Sequence, residues 1–263
     1  MFKRKGCGDT TSMTRVTEQG DIFFCYRPKV DAQHVRGLDD VARFYVIFKP
    51  VAKARFRRMI VGRKRLPAVE DHERAWGFID LVTEEAAELE DELDPYAYET
   101  KSRGTRVEPA VRPSGEGVYA IVDHGGHTHI AYALELPQTP GPVQAAFQIR
   151  PMASLIVTVR NPDAPAPPDR PRAGLPPSQR PEYPDALWAA FGDRRFTKLD
   201  PPDFLDYPGT ELVLIGASPD VTRELGIALP TKRESRRSAD VFTELGMERD
   251  VHPAEPLLTG QWR

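Results

Sequence analysis

A strand-rich α+β protein, built as a mostly antiparallel sheet or small barrel with a few short helices and a proline-rich connector, is the fold class this chain predicts. Three observations carry that expectation. Proline accounts for 26 of the 263 residues, about twice the ordinary share, and its ring suits loops and strand edges but not helix interiors. Most apolar residues fall in short β-branched or aromatic runs bounded by turn-forming residues. Only one stretch of appreciable length carries clear helical spacing. The balance of 40% hydrophobic and 29% charged residues is that of a chain that folds by burying a core, and the length allows this without disulfide or metal staples.

Residues 1–19 read as a disordered leader: Lys3, Arg4 and Lys5 are not followed by the apolar run of a signal peptide, and Met13 offers a second start. A main β-rich domain is expected over 20–160. Its first strands are Asp21–Val30, Ala42–Pro50, Arg57–Arg65 and Ala75–Val82. A helix follows over Thr83–Leu93, with Thr83 as N-cap, acids in the first turn and Val82, Ala86, Leu89 and Leu93 on one face; Pro95 ends it. Gly117–His124, His127–Leu136 and Ser154–Arg160 continue the sheet, with a short helix at Val143–Ile149.

The connector, 161–184, holds 9 prolines in 24 residues, a composition that favours extended polyproline-like backbone. Its Pro165, Pro168 and Pro171 stand at P-x-x-P spacing, which spacers of this kind reach without any ligand role. A small α/β element over 185–230 is expected to pack on the main domain. It comprises a helix within Tyr183–Gly192, a buried strand at Glu211–Ala217, and a short helix starting at Ser218, Pro219 and Asp220 and stopping at Gly226. The remainder, 231–263, reads as a largely extended C-terminal tail ordered where Leu257, Leu258 and Trp262 dock.

A formal charge of −3 gives the whole chain no pull toward nucleic acid or anionic membrane. The most apolar windows, such as Leu212–Ala217, fall far short of the roughly 20 residues needed to cross a bilayer. Cys7 and Cys25 cannot build a disulfide framework, which points to a reducing, cytoplasmic setting.

Half of the six histidines lie in Val118–Leu136. Gly125-Gly126 between two alternating runs predicts a two-residue hairpin turn. That turn sets His124 opposite His127, Val122 opposite His129 and Ala120 opposite Ala131. His124, His127 and His129 then project from one side, over a floor of small residues that leaves room for water or a covering element. Three imidazoles with an open fourth position resemble the three-histidine catalytic zinc site of carbonic anhydrase in local geometry alone. No orienting carboxylate is evident on that face, and Asp123 points away from it.

Between Val51 and Pro67 stand Lys53, Arg55, Arg57, Arg58, Arg63, Lys64 and Arg65, with no acid among them. Interleaved with Phe56 and Met59, they form a candidate phosphate-contacting surface. Glu84, Glu85, Glu88, Glu90, Asp91, Glu92 and Asp94 offer an internal neutraliser, the favoured reading. Lys232, Arg233, Arg236 and Arg237, beside Ser235 and Ser238, read as a solvated tail. Asp200, Asp203 and Asp206 sit among prolines and read as loop chemistry. G-x-S-x-G and H-E-x-x-H are absent.

The functional expectation is a cytoplasmic binding or regulatory protein with an anionic or protein partner and no membrane. The alternatives are a zinc-dependent hydrolase using His124, His127 and His129, and a nucleic-acid-binding module using 53–65.

Overall fold

The computed structural model describes residues 14–102, 104–165, 179–232 and 238–263. In chain order the elements are β1 (Arg15–Pro28), β2 (Val41–Pro50), β3 (Phe56–Val61), β4 (Arg74–Thr83), α1 (Ala86–Leu93), β5 (Tyr96–Thr100), β6 (Gly104–Glu108), β7 (Arg112–His124), β8 (His127–Leu136), α2 (Pro142–Phe147), β9 (Met152–Arg160), α3 (Asp185–Ala189), β10 (Phe196–Lys198), β11 (Glu211–Ser218), α4 (Val221–Leu225), α5 (Asp240–Thr243) and α6 (Glu255–Thr259). No described helix is long and apolar enough to cross a membrane.

Side by side the strands run β9, β11, β4, β3, β2, β1, β7, β8. β8 then returns to β9, with Thr128 opposite Val157 and Ala133 opposite Met152, and closes an antiparallel eight-stranded barrel. The barrel consists of two four-stranded antiparallel runs, β1 to β4 and β7-β8-β9-β11. They join first strand to first and last to last. β10 continues along the β9 edge where β8 leaves it. β5 and β6 form a separate two-stranded arm, held at its base by Asp31, whose backbone N–H donates to the Val107 carbonyl and whose carboxylate accepts from the Val107 N–H.

An eight-stranded barrel is just wide enough for side chains to fill. Phe24, Phe44, Phe48, Tyr119, Tyr132 and Leu214 belong to the buried interior cluster. At one end Phe204 and Leu205, in a 3₁₀ turn at Pro202–Asp206, are fully buried. At the other, Phe147 stacks on Phe44 at 4.6 Å, and Trp262 sits 5.7 Å from Tyr26.

β1 approaches β2 so closely at Gly20 that a Cβ there would overlap the Lys49 carbonyl oxygen. Because the obstacle is backbone and cannot rotate aside, Gly20→Ala is expected to cost about 1–3 kcal/mol in chemical denaturation; an unchanged midpoint would show that β2 yields.

Two outer faces of the barrel are covered. Phe23, Cys25, Tyr45 and Ile47 of β1 and β2 pack beneath Leu89 and Leu93 of α1 and beneath Val241, Leu245, Met247 and Leu257 from the C-terminal segment. Ala120, Val122 and Ala131 of β7 and β8 pack beneath Val221 and Leu225 of α4.

Three expectations are corrected by this arrangement, and one element had none. Strand β1 begins at Arg15, paired with Asp123, inside the span read as leader; Lys3, Arg4, Lys5, Cys7 and Met13 lie outside the described residues, as do Pro168, Pro171, Arg233, Ser235, Arg236 and Arg237. Strand β11 is a stave of the main barrel between β4 and β9 rather than part of an appended element. The segment 231–263 is not largely extended: it folds into α5 and α6, because apolar residues too widely spaced to give a local period meet the outer barrel face. The β5–β6 arm had no expectation, since Ala97, Glu99, Gly104 and Glu108 carry little strand signal.

Candidate functional site

At the diglycine turn φ is +60° for Gly125 and +83° for Gly126, the left-handed conformation a primed hairpin requires. The register is His124 with His127, Val122 with His129 and Ala120 with Ala131. The element over the small-residue floor is α4, and it brings the carboxylate that the hairpin lacks. Glu224 accepts a hydrogen bond from Ser154 Oγ and places Oε1 3.9 Å from His129 Nδ1.

The three imidazoles share a face without converging. His129 is buried, and its Nδ1 has no hydrogen-bond partner. Burial pushes its pKa down to about 4, helped by the charges of His124 and His127. The His124 ring stands 6.2 Å from that of His129 at 77° and meets Thr14 Oγ1 at 2.8 Å through Nδ1. His127 is exposed at the tip. Among the described residues no three His, Cys, Asp or Glu side chains are grouped so as to hold a metal ion.

The basic run is taken up by internal partners. Lys53 bridges Asp203 at 2.5 Å and Asp206 at 2.6 Å. Arg55 reaches Glu84 at 2.5 Å and Asp206 at 3.1 Å. Arg57, fully buried at the barrel end, pairs with Glu18 and Asp206, both at 2.6 Å, and Tyr119 donates its hydroxyl to the same Glu18. Arg58 faces the other way, onto Asp80 at 2.8 Å and Glu92 at 3.1 Å, with its guanidinium over the Tyr45 ring. Arg63 and Arg65 share Glu73, and Lys64 donates to the Val41 carbonyl. The Arg65 hydrogen bond leads in drawing the Glu73 carboxyl down to about 2.

Among the described residues, Arg55 and Arg58 are the two of these seven cations that form ion pairs with the acidic stretch 84–94, through Glu84 and Glu92. The remaining carboxylate partners are Glu73 and Asp80, close in the chain on the β3–β4 connection and on β4, and Glu18 of β1 with Asp203 and Asp206 of the 202–206 turn, which the closed barrel brings near β3. Asp203 and Asp206, read as loop residues, thus lock the turn that stops the barrel end.

One outer wall, spanning β3, β4, β11, β9 and β10, carries apolar residues that neither outer cover claims. Arg74, Trp76 and Phe78 alternate with inward-facing Ala75, Gly77 and Ile79. Trp76 and Phe78 lie 6.3 Å apart at 18°, and Trp76 lies 6.5 Å from Phe196. Beside them Trp76 pairs with Val213, Arg74 with Ile215, and Ile215 with Ile156. Trp76, Phe78, Ile156, Phe196, Val213 and Ile215 belong to none of the three buried clusters, and each keeps part of its surface in solvent.

The wall's charges are Arg74, Lys198, which pairs with Asp123 and Asp200, and the pair Arg160 and Glu211. Arg160 and Glu211 form an ion pair across β9 and β11, each side chain 13% exposed. Arg74 is exposed and has no ion pair among the described residues. The sequence marked this wall weakly, because Asp80 is the one charge in AWGFIDLV and large apolar residues stand on both of its faces.

Comparison of the chain with family models, with curated proteins and with solved structures returned no match.

Proposed function

We propose that this is a binding or regulatory protein of a reducing, cytoplasmic compartment, and that it engages its partner through the wall of Trp76, Phe78 and Phe196. The observation that carries this reading is the wall itself: a contiguous aromatic and aliphatic face, partly exposed, that no described helix covers while two other outer faces lie under helices. Aromatic residues and arginine are the types enriched at interface cores, where lysine and acids are depleted.

Other features support it. The barrel interior is occupied by its own core, which favours surface recognition over an enclosed ligand. Burial pushes the Cys25 thiol far up, so it stays protonated and inert. The nucleic-acid reading of 53–65 draws less support, since Arg57 and Arg58 are buried in ion pairs and cannot reach a phosphate. The zinc reading gains Glu224 near His129 but has no converging third ligand.

A photoreactive benzoylphenylalanine in place of Phe78, introduced in the producing cells, tests the proposal. One discrete crosslinked species, identified by mass spectrometry and absent when the same group replaces the exposed Val51, is the expected result. Equal, diffuse labelling from both positions, or none from position 78, would remove the wall as the binding face.

A further inference from the structure

We propose that the arm formed by β5 and β6 is a second interaction surface, whose β5 edge takes an extended strand of a partner protein and becomes a three-stranded antiparallel sheet. The arm shares no residue with the wall of Trp76, Phe78 and Phe196, so it is a separate surface. Among the described elements, β6 is the one that packs along β5.

Asp31 fixes the direction of the free main-chain groups. The N–H and C=O of Val107 both turn outward to Asp31, so Ala97 and Val107, opposite each other, exchange no hydrogen bond within the ladder. Alternation then turns the N–H and C=O of Ala97 and Glu99 to the outer edge of β5. They meet no main-chain partner among the described residues, and both residues are exposed. The edge of β6, by contrast, is already closed by Asp31.

Three observations argue that a strand belongs on this edge. A two-stranded ribbon is one strand short of independent stability. Of five large apolar side chains exposed among the described residues, Tyr96 at 64% and Val107 at 41% stand on opposite faces of the arm, so an added strand finds apolar neighbours on both sides. Open edges are ordinarily guarded by lysine, proline or a bulge, and Tyr96–Thr100 contains none of these.

Side chains set the chemistry of the occupant. Tyr96 and Tyr98 lie 6.0 Å apart at 13° on one face, which suits β-branched or aromatic residues opposite them. On the other face Glu99 accepts from Thr105 and forms no ion pair among the described residues, which calls for lysine or arginine opposite. A second copy of β5, paired antiparallel about Tyr98, sets Ala97 opposite Glu99 and supplies no cation, so a different chain fits the edge better.

Titration of the isotope-labelled full chain with the acetylated and amidated peptide TVKYTVT is the test. In antiparallel pairing its tyrosine falls opposite Tyr98 and its lysine opposite Glu99. Expected are saturable binding below about 1 mM and amide exchange at Ala97 and Glu99 slowed at least about tenfold, with Val107, already bonded to Asp31, little changed. The same peptide methylated on the two amide nitrogens that face β5 should bind at least about tenfold more weakly. So should the unmethylated peptide to Glu99→Pro, which removes an outward N–H and leaves the ladder to β6 intact.

Exchange at Ala97 and Glu99 as slow in the free chain as at Val107 overturns the proposal, since the edge is then already covered. Binding that neither methylation nor Glu99→Pro weakens overturns it by assigning the contact to side chains, and no binding up to about 1 mM overturns it outright. A concentration-dependent dimer of the free chain, abolished by Glu99→Pro, would put a second copy in place of the partner. Crosslinking from position 78 reports on the wall alone and is independent of each of these results.

Discussion

Arg57→Ala is expected to lower the unfolding free energy by about 3–5 kcal/mol, read from urea midpoints at constant slope. Arg57 is the largest of the fully buried side chains, and Glu18 and Asp206 are nearly as buried. Removing the guanidinium strands Glu18, with Tyr119 still directed at it, and leaves Asp206 to Lys53 and Arg55. Burial opposes ionisation of Asp206, yet its hydrogen bonds from Arg57 and Lys53 hold its pKa below the ordinary range.

A second variant separates the stranded charge from lost packing. Arg57→Met combined with Glu18→Gln and Asp206→Asn should recover a large part of the loss, since replacing a whole buried ion network costs less than breaking it. If Arg57→Ala costs under about 1 kcal/mol, water reaches that end of the barrel and the network is a surface feature.

Lowering the pH from 7 to 4 should remove roughly 3 kcal/mol of stability through His129 alone. Its folded pKa of about 4 lies below the ordinary 6.5. As the pH falls through 6.5 the unfolded chain takes up a proton that the folded chain refuses. The unfolded state binds more protons across that window, so stability declines until the folded imidazole protonates near 4. Glu73, drawn down to about 2, contributes in a lower window, as its stabilisation is lost on falling from 4.5 toward 2.

His129→Gln is neutral throughout, and its unfolding free energy should be flatter than that of the wild type between pH 6.5 and 4. Parallel curves for the two proteins would place His129 in contact with water, against its burial under α4. Protonation there would also set an imidazolium 3.9 Å from Glu224, which limits the loss if the two groups close up.

Local patterning accounted for much of the fold. Short alternating runs identified most of the barrel staves, because side-chain period two is a property of the strand itself. The diglycine turn determined the histidine register, because positive φ at two adjacent positions admits little else. The acidic run of Ala86–Leu93 became helix through its own spacing.

Tertiary structure alone decided what those elements do. Whether Trp76 or Ala75 faces solvent depends on which side of β4 the barrel closes around, and with apolar residues on both sides of the strand the alternation alone does not decide it. Glu224 reaches His129 only because α4 crosses the β7–β8 face, a contact between positions 95 residues apart. The partners of Arg57 lie 39 and 149 residues away. Burial, and with it pKa, pairing and exposure, is a property of the closed surface, and no local period encodes which distant segment completes that surface.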